Sequence, residues 1–233
     1  MILAGTIARV TLIPTNIPIL YEDEELLIIS KPTGLPVLPD GWEKEAPYLV
    51  KLLEKQNGRL WIVHRLDKIT SGVMAFARTA EAHRALNLQF EQHEIEKLYH
   101  AIVVGVPEWD RLIARHPLRV DVGHSHRTVV DHSKGKSSDT AFRVLERYLG
   151  YSLLEAVPGT GRTHQIRVHA YALGFPLLGD MLYSAPITDL IARPALHALS
   201  LTITHPTNGK RITFTAPYPD EFQTSLKKLQ LLE

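Results

Sequence analysis

The sequence has 233 residues, of which 45% are hydrophobic and 22% are charged, a balance typical of a globular protein with one large domain or two small lobes. The chain lacks cysteine, which excludes disulfide bonds and any metal site or nucleophile built on cysteine. It contains no apolar run close to the ~20 residues that cross a bilayer, and its first residues lack the charge of a signal peptide, so we expect a cytoplasmic monomer without a membrane segment.

The net charge of +1 and the isoelectric point near 8.0 do not by themselves indicate a nucleic-acid partner. The charge is uneven along the chain, however. Residues 111–136 contain four histidines and only two acidic residues, Asp121 and Asp131, against the basic residues Arg111, Arg115, Arg119, Arg127, Lys134 and Lys136. Charge alone slightly favours a solvated loop over a binding surface at this segment.

The first half of the chain predicts two strands and a helix. Residues 25–30 form an apolar run that ends at Lys31-Pro-Thr-Gly34, a pattern that predicts a buried strand entering a turn. A second strand is predicted over residues 72–78. A helix is predicted to follow with Thr79 as its N-cap, and its apolar face contains Ala82, Leu86 and Phe90.

The second half predicts more strands and one helix. A strand is expected at residues 98–104, and a strand pair at residues 140–147 and 151–157 around Gly150. Residues 163–173 have helical spacing and end at Gly174, and residues 199–205 and 210–215 predict a hairpin around Thr207-Asn-Gly209. Many strands with few helices, not in strict βαβ order, predict an α+β fold with a mixed, largely antiparallel sheet.

A first constellation of polar residues lies at residues 61–72. His64, Arg65 and Asp67 lead into a Thr70-Ser-Gly72 turn, and the next predicted strand starts there. Turns held by rigid strands are common positions for catalytic groups. The local pattern alone nevertheless favours a structural interpretation, in which Asp67 caps the turn.

A second constellation lies at residues 159–169, where a glycine-rich turn enters a predicted helix, a natural position for an anion. The Gly-Lys-Ser/Thr sequence of a nucleotide-binding loop is absent, which argues against ATP binding. Arg162 precedes the helix, whereas Arg167 lies inside it beside the apolar stripe. A half-buried arginine needs a carboxylate partner. That partner could belong to a functional site, or the two residues could form an ordinary structural ion pair.

The twelve histidines raise the possibility of a metal site. His164 and His169 are five residues apart, which is not the spacing that places two ligands on one helix face. His124, His126 and His132 are close in sequence but lack supporting carboxylates. The pattern therefore predicts no metal, and a metal-dependent hydrolase would instead require stoichiometric zinc. The Gly-x-Ser-x-Gly motif of many serine hydrolases is also absent.

Together, these segments resemble the RluA-type family of pseudouridine synthases. His64-Arg-Leu-Asp67 with Thr70-Ser-Gly72 matches the family's catalytic motif, and residues 161–169 (GRTHQIRVH) match its second hallmark. Three further matches follow the family order, at Lys31-Pro-x-Gly34, Lys97-x-Tyr99-x-Ala101 and Leu196-His-Ala198. The similarity extends from about Tyr21 to Pro219.

The resemblance implies a pseudouridine synthase fold with two lobes around a central RNA cleft. It also implies a catalytic domain over residues 21–233, after an N-terminal extension over residues 1–20. It further implies that no cofactor is needed, because the reaction has no net gain or loss of electrons or groups. The expected catalytic residues are Asp67, Tyr99 and Arg167, with Arg167 paired to Asp67. The expected RNA-binding residues are Arg65, His64, Thr70, Arg162, His164, Ile166 and Leu196.

Several alternatives stay open at this point. Asp67 could act as a nucleophile or as a base towards the sugar. The chain has too few residues before Tyr21 for the small S4-type domain of many relatives, and it lacks their His-Pro after Gly34. The partner could be rRNA, tRNA or both. An RNA-binding or ribosome-assembly factor that uses the same fold without catalysis is the alternative from another functional class.

Overall fold

A mixed sheet organises the chain in the computed structural model, which describes residues 17–39, 46–123 and 127–232. The strands are β1 (Ile19–Glu22), β2 (Leu26–Lys31), β3 (Trp61–Ile62), β4 (Ser71–Ala77), β5 (Glu96–Val104), β6 (Arg111–Arg115), β7 (Leu118–Val122), β8 (Arg127–Val130), β9 (Asp139–Tyr148), β10 (Tyr151–Pro158), β11 (Leu196–Thr204) and β12 (Arg211–Thr215). The α-helices are α1 (Leu49–Asn57), α2 (Ala80–Glu91), α3 (Gln165–Ala172) and α4 (Asp220–Gln230), and a short 3₁₀ helix covers Met181–Tyr183.

Ten of these strands form one sheet in the order β1-β2-β4-β11-β5-β10-β9-β6, with β12 paired to β11 and β3 paired to β4. The pair β4–β11 is parallel, and the other described pairs are antiparallel. The strands β7 and β8 form a separate hairpin. The predicted α+β class with a mixed, largely antiparallel sheet is therefore confirmed.

Apolar side chains cover both faces of the sheet on either side of β11. The strands β2 and β4 alternate between two clusters, one with α2 and one with α1, which explains their continuous apolar sequences. The strands β5 and β10 alternate in the same way between a cluster with α3 and a cluster with α4. Tyr99 contacts both the α1 cluster and the α3 cluster, so these two lie on the same face of the sheet. They form the two lobes that the sequence predicts.

The predicted elements are present with small shifts in their ends. Thr79 caps α2 as expected, because its hydroxyl oxygen accepts a hydrogen bond from the backbone N–H of Ala82 at 3.1 Å. The helix α3 begins at Gln165 instead of residue 163, since His164 has a left-handed backbone with φ of 56°. Gly174, at φ of 88°, ends this helix region as the sequence predicts.

Helix α4 is absent from the sequence-based prediction, although it carries a usable signal. Pro219 precedes two acidic residues in the first turn, and Phe222, Leu226 and Leu229 recur at helical spacing. Phe222 and Leu229 are fully buried against the second half of the sheet. None of the described helices is long and apolar enough to cross a membrane.

The predicted domain division at residue 20 stays a prediction. Residues 1–16 lie outside the described residues, and β1 extends across the proposed boundary.

Gly72 allows the parallel contact between β4 and β11. Its backbone has φ of 119°, and a Cβ atom there would lie 2.1 Å from the carbonyl oxygen of Ala198. We therefore expect Gly72→Ala to lower the free energy of unfolding by about 2–3 kcal/mol, through backbone strain and separation of the strands. Urea denaturation followed by circular dichroism measures this loss.

Gly209→Ala is the matched control for this substitution. Gly209 also has a positive φ, of 67°, but nothing lies within 4 Å of the added Cβ. This variant is expected to lose only about 1 kcal/mol. Equal losses for the two glycines would contradict a specific role for the close contact at Ala198.

Candidate active site

A cleft of about 760 Å³ opens between the two lobes on the face of the sheet that carries Tyr99. Its walls come from the β3–β4 loop, from the segment that joins β10 to α3, and from the turn after β2. The lining includes nine of the residues expected from the sequence, namely His64, Arg65, Asp67, Thr70, Tyr99, Arg162, His164, Ile166 and Leu196.

Sheet register brings Asp67 and Tyr99 together. Tyr99 on β5 is directly opposite Ala198 on β11, and Ala198 is opposite Gly72 on β4. Neighbouring strands are about 4.8 Å apart, so the end of the Asp67 loop lies only two strand spacings from Tyr99. Burial raises the pKa of Tyr99, and the nearby Asp67 carboxylate raises it further. The tyrosine therefore stays a neutral phenol beside the carboxylate.

The carboxylate of Asp67 is open to the cleft. Its side chain is 29% exposed, and the one basic side chain of the described residues within 4 Å is His164, with Nε2 at 3.9 Å from Oδ2. The turn is closed by backbone groups, since the N–H of Thr70 donates to the carbonyl of Asp67 at 3.0 Å. Within the described ranges, the carboxylate accepts no hydrogen bond. Among the described residues, the Asp67 carboxylate therefore does not cap the turn, as the local pattern suggests it would, and it faces the cleft instead.

The loop behind Asp67 is held by the Lys31-Pro-Thr-Gly34 turn. Lys31 is 1% exposed, and its ammonium donates to the carbonyls of Pro32, Lys68 and Thr70 at 2.9, 3.2 and 2.9 Å. The Thr33 hydroxyl donates to the carbonyl of Ile69 at 2.8 Å. Lys31 and Thr33 of this motif therefore hold the Asp67 loop in place through hydrogen bonds to its backbone carbonyls.

Arg193 supports the same loop from the side of α4. Its guanidinium donates to the carbonyl of Ile69 and to the Ser71 hydroxyl, both at 3.2 Å, and to the carbonyl of Leu196 at 3.0 Å. It also forms an ion pair with Glu221 at 2.8 Å. Arg193 thus connects the Asp67 loop, β11 and α4.

Lys31 makes the stability of the protein depend on pH. Burial lowers the pKa of Lys31 from 10.5 to about 7, although the Asp67 charge opposes the shift. Between these values the unfolded chain holds a proton that the folded chain has lost, so the free energy of unfolding rises with pH. We expect wild type to gain about 1–2 kcal/mol relative to Lys31→Met between about pH 7 and pH 9, measured by urea denaturation.

Lys55→Met, which replaces an exposed lysine on α1, is the control for this measurement. If the difference between wild type and Lys31→Met were the same at both pH values, the buried ammonium would not be the titrating group.

The predicted ion pair between Arg167 and Asp67 is wrong. Arg167 is buried and forms a bidentate pair with Asp180, with Nε to Oδ2 at 2.6 Å and Nη2 to Oδ1 at 2.8 Å. Its guanidinium also lies 4.9 Å from the ring centre of Tyr183. Arg167 thus has the carboxylate partner that the sequence predicts for it, but this partner is Asp180, and Arg167 is not among the residues that line the cleft.

His164 connects the cleft to this buried pair. Its backbone is left-handed, its Nε2 lies 3.9 Å from Asp67 Oδ2, and its Nδ1 is 2.9 Å from the Tyr183 hydroxyl. Burial and then the Arg167 charge lower the pKa of His164, against the opposing effect of Asp67 and Asp180. A neutral imidazole leaves Asp67 without a full positive charge in direct contact.

The other expected RNA-binding residues have different environments. Arg65 and Arg162 are exposed at the rim of the cleft, whereas Ile166 and Leu196 are each 5% exposed and form part of its apolar floor. His64 lines the cleft but also supports β4, because its Nε2 accepts from the backbone N–H of Ala75 at 3.0 Å. Burial lowers the pKa of His64 to about 3, so the ring is neutral.

Sequence reasoning missed some members of the site and left others without a role. Phe90 stacks on His64 with ring centres 5.1 Å apart, and Lys97 donates to the carbonyl of Thr160 at 3.1 Å. Both line the cleft. Lys97 lies in the Lys97-x-Tyr99-x-Ala101 motif, which by itself indicates no role for the lysine, and the spacing of Phe90 indicates only the apolar face of α2. Arg193 and Asp180 had no local signal, since their partners are distant in sequence.

Within the described ranges, no group of three His, Cys, Asp or Glu side chains is placed to hold a metal ion. His124 and His126, which belong to the histidine cluster considered from the sequence, lie outside the described residues.

Comparison with known proteins agrees with the resemblance of the motifs. Residues 25–172 match the family model for RNA pseudouridylate synthase. The chain is 37% identical over 234 residues to ribosomal large subunit pseudouridine synthase D of Neisseria meningitidis, with 94% of this chain and 62% of the relative covered. It is 39% identical over 202 residues to the dual-specificity RNA pseudouridine synthase RluA of Escherichia coli, with 85% and 92% covered.

The chain thus spans less than two thirds of the length of the first of these relatives. Among solved structures, human RNA pseudouridylate synthase domain containing 4 superimposes with a TM-score of 0.75 and 27% identity, covering 91% of this chain and 93% of that chain. Human RNA pseudouridylate synthase domain containing 1 gives a TM-score of 0.74 with 28% identity, covering 88% and 84%.

Proposed function

Because this chain belongs to the RNA pseudouridylate synthase family, we propose that it isomerises uridine to pseudouridine in structured RNA, with Asp67 as the reacting group. The observation that carries this proposal is the carboxylate of Asp67, which faces the cleft beside Tyr99 and accepts no hydrogen bond from the described residues. A buried structural carboxylate would normally be paired or hydrogen-bonded. An open carboxylate is available to a substrate.

The reaction breaks the bond between the ribose and N1 of uracil, rotates the base, and joins the ribose to C5 instead. The proton on C5 is lost and N1 gains one, so atoms and electrons balance without a cofactor. Asp67 acts either by attacking the nucleotide or by taking a proton from the ribose, and both roles require the ionised form. The neutral Tyr99 ring provides a surface for the uracil plane next to that carboxylate.

The target uridine must leave its stack to reach Asp67, at a cost of a few kcal/mol. Ile166 and Leu196 supply an apolar floor for the displaced base, and Tyr99 supplies an aromatic one. Arg65 and Arg162 at the rim are placed to contact the RNA around it, with Arg65 suited to fill the space that the uridine leaves. These contacts offset part of the cost of flipping.

The names of the relatives point to the RNA. One acts on the ribosomal large subunit, and the other has dual specificity. We therefore propose large-subunit rRNA as the first candidate substrate and tRNA as the second. We also propose that the protein acts as a cytoplasmic monomer.

The direct test is to incubate the purified protein with unmodified large-subunit rRNA and tRNA transcripts and to map pseudouridine at nucleotide resolution. Mapping total RNA from cells with and without the protein identifies the natural sites. We expect new pseudouridine at one or a few uridines in vitro and loss of the same sites in cells without the protein. Tight rRNA binding with no pseudouridine in either experiment would favour the ribosome-assembly alternative.

A further inference from the structure

A second, smaller pocket of about 290 Å³ lies directly beside the cleft. It shares Gly161, Arg162 and Thr163 with the cleft, so the two depressions meet at the segment before α3. Its other wall is the β7–β8 hairpin and the turn that follows it, and the remaining lining residues are Leu118, Arg119, Val120, Lys134 and Lys136. We call it the side pocket.

The side pocket is strongly basic. Arg119, Lys134, Lys136 and Arg162 are all in its lining, and none of the lining residues that the structure describes is acidic. Arg119 pairs with the adjacent Asp131, with Nε 2.9 Å from Oδ2. In the described part of the chain, Lys134, Lys136 and Arg162 form no ion pair, and all three are exposed. Three cations that form no ion pair within the described residues lie around one concave surface, and together they attract an anion.

The turn that carries Lys134 is built in a defined conformation. The Asp131 Oδ1 atom accepts from the backbone N–H groups of Ser133 and Lys134, both at 2.9 Å, and from the Ser133 hydroxyl at 2.8 Å. These hydrogen bonds lower the pKa of Asp131 to about 2. Its carboxylate is thus committed to the turn and to Arg119, and it does not neutralise the two lysines.

The hairpin is also anchored to the wall of the cleft. Leu118 on β7 is 1% exposed and packs with Val168 of α3 and with Tyr183. The Tyr183 hydroxyl receives a hydrogen bond from the backbone N–H of Thr128 at 3.1 Å and lies 2.9 Å from Nδ1 of His164, a residue of the cleft. Buried contacts therefore connect the hairpin of the side pocket to a residue that lines the cleft.

We propose that the side pocket binds a backbone phosphate of the RNA substrate, at a nucleotide next to the flipped uridine. This proposal rests on the proposed function. It adds to that function the position on the protein at which the RNA strand leaves the cleft. Lys134, Lys136 and Arg162 neutralise the phosphate, and the contact positions the strand without reading its sequence. The basic segment that charge alone assigns to a solvated loop thereby has a specific partner.

The test compares the double variant Lys134→Gln/Lys136→Gln with Lys227→Gln/Lys228→Gln, which removes two exposed lysines at the end of α4. Binding of a fluorescein-labelled RNA hairpin with a uridine-rich loop is measured by anisotropy at several KCl concentrations. We expect the side-pocket variant to lower affinity on the order of tenfold at low salt, and to reduce the slope of log K against log[KCl] by about 1 to 2. The α4 variant is expected to match wild type.

Kinetics separate binding from catalysis. On an RNA that wild type modifies, the side-pocket variant should have a raised KM, while its single-turnover rate at saturating RNA stays unchanged. Lys134→Arg/Lys136→Arg should restore affinity, since it keeps the charge. Equal affinity and equal salt slopes for the side-pocket and α4 variants would overturn the proposal. A failure of wild type to form pseudouridine in any RNA would instead count against the proposed function.

Discussion

Asp67→Asn is expected to lower the rate of pseudouridine formation at least about a thousandfold, because an amide is neither a nucleophile nor a base. The substitution preserves size and shape. The carboxylate accepts no hydrogen bond from the described residues, so folding loses little when it is replaced. The measurement is single-turnover pseudouridine formation at saturating RNA, with the thermal transition and RNA affinity recorded on the same preparation. Both of these are expected to stay close to wild type.

Asp189→Asn is the matched control, since Asp189 is exposed and does not line the cleft. Its activity should equal that of wild type. Undiminished product formation by Asp67→Asn would remove Asp67 from the mechanism. Equal complementation of a strain lacking the protein by wild type and by Asp67→Asn would show instead that its cellular role does not depend on catalysis.

Asp180→Asn and Arg167→Met are each expected to lower the free energy of unfolding by about 3–5 kcal/mol. The side chains of Arg167 and Asp180 are 4% and 1% exposed, so either substitution leaves the other charge buried without its partner. Urea denaturation monitored by circular dichroism measures the loss. Arg167→Lys is expected to recover only part of it, because an ammonium cannot form the two parallel hydrogen bonds of the guanidinium.

The double variant Arg167→Met/Asp180→Leu tests whether the two residues act on each other. It removes both charges together, so its loss should be clearly smaller than the sum of the two single losses. Additive losses would contradict the pair. If Arg167→Met left stability unchanged and shifted the pH profile of catalysis, the main partner of Arg167 would be Asp67, as the sequence suggested.

The sequence by itself determined several strands, the helices α2 and α3, and the family to which the chain belongs. The strand pair around Gly150 and the hairpin at Thr207-Asn-Gly209 follow from local rules, because turn residues and side-chain alternation act over a few positions. The N-cap at Thr79 is also predictable from the sequence, because capping depends on residues within a single helical turn. The motif around Asp67 also marks it as the candidate reacting group through the family resemblance, although the local pattern alone favours a turn cap.

Tertiary structure decided which side chains meet. The choice between Asp67 and Asp180 as the partner of Arg167 depends on how α3 packs, and no local pattern contains that information. The same holds for Lys31, whose bonds to the carbonyls of Lys68 and Thr70 join segments 37 and 39 residues apart. Such contacts depend on the relative placement of whole elements and not on the propensities of their residues.

The position of Asp67 depends both on the local sequence and on the tertiary structure. The sequence placed a carboxylate in a turn between two strands, with a glycine at the start of the second. Only the parallel pairing of Gly72 with Ala198, together with the antiparallel pairing of Ala198 with Tyr99, brought that turn to the aromatic ring across the sheet. Strand register is a long-range property, because it is set by burial on both faces of the sheet and by the close backbone contact that Gly72 permits.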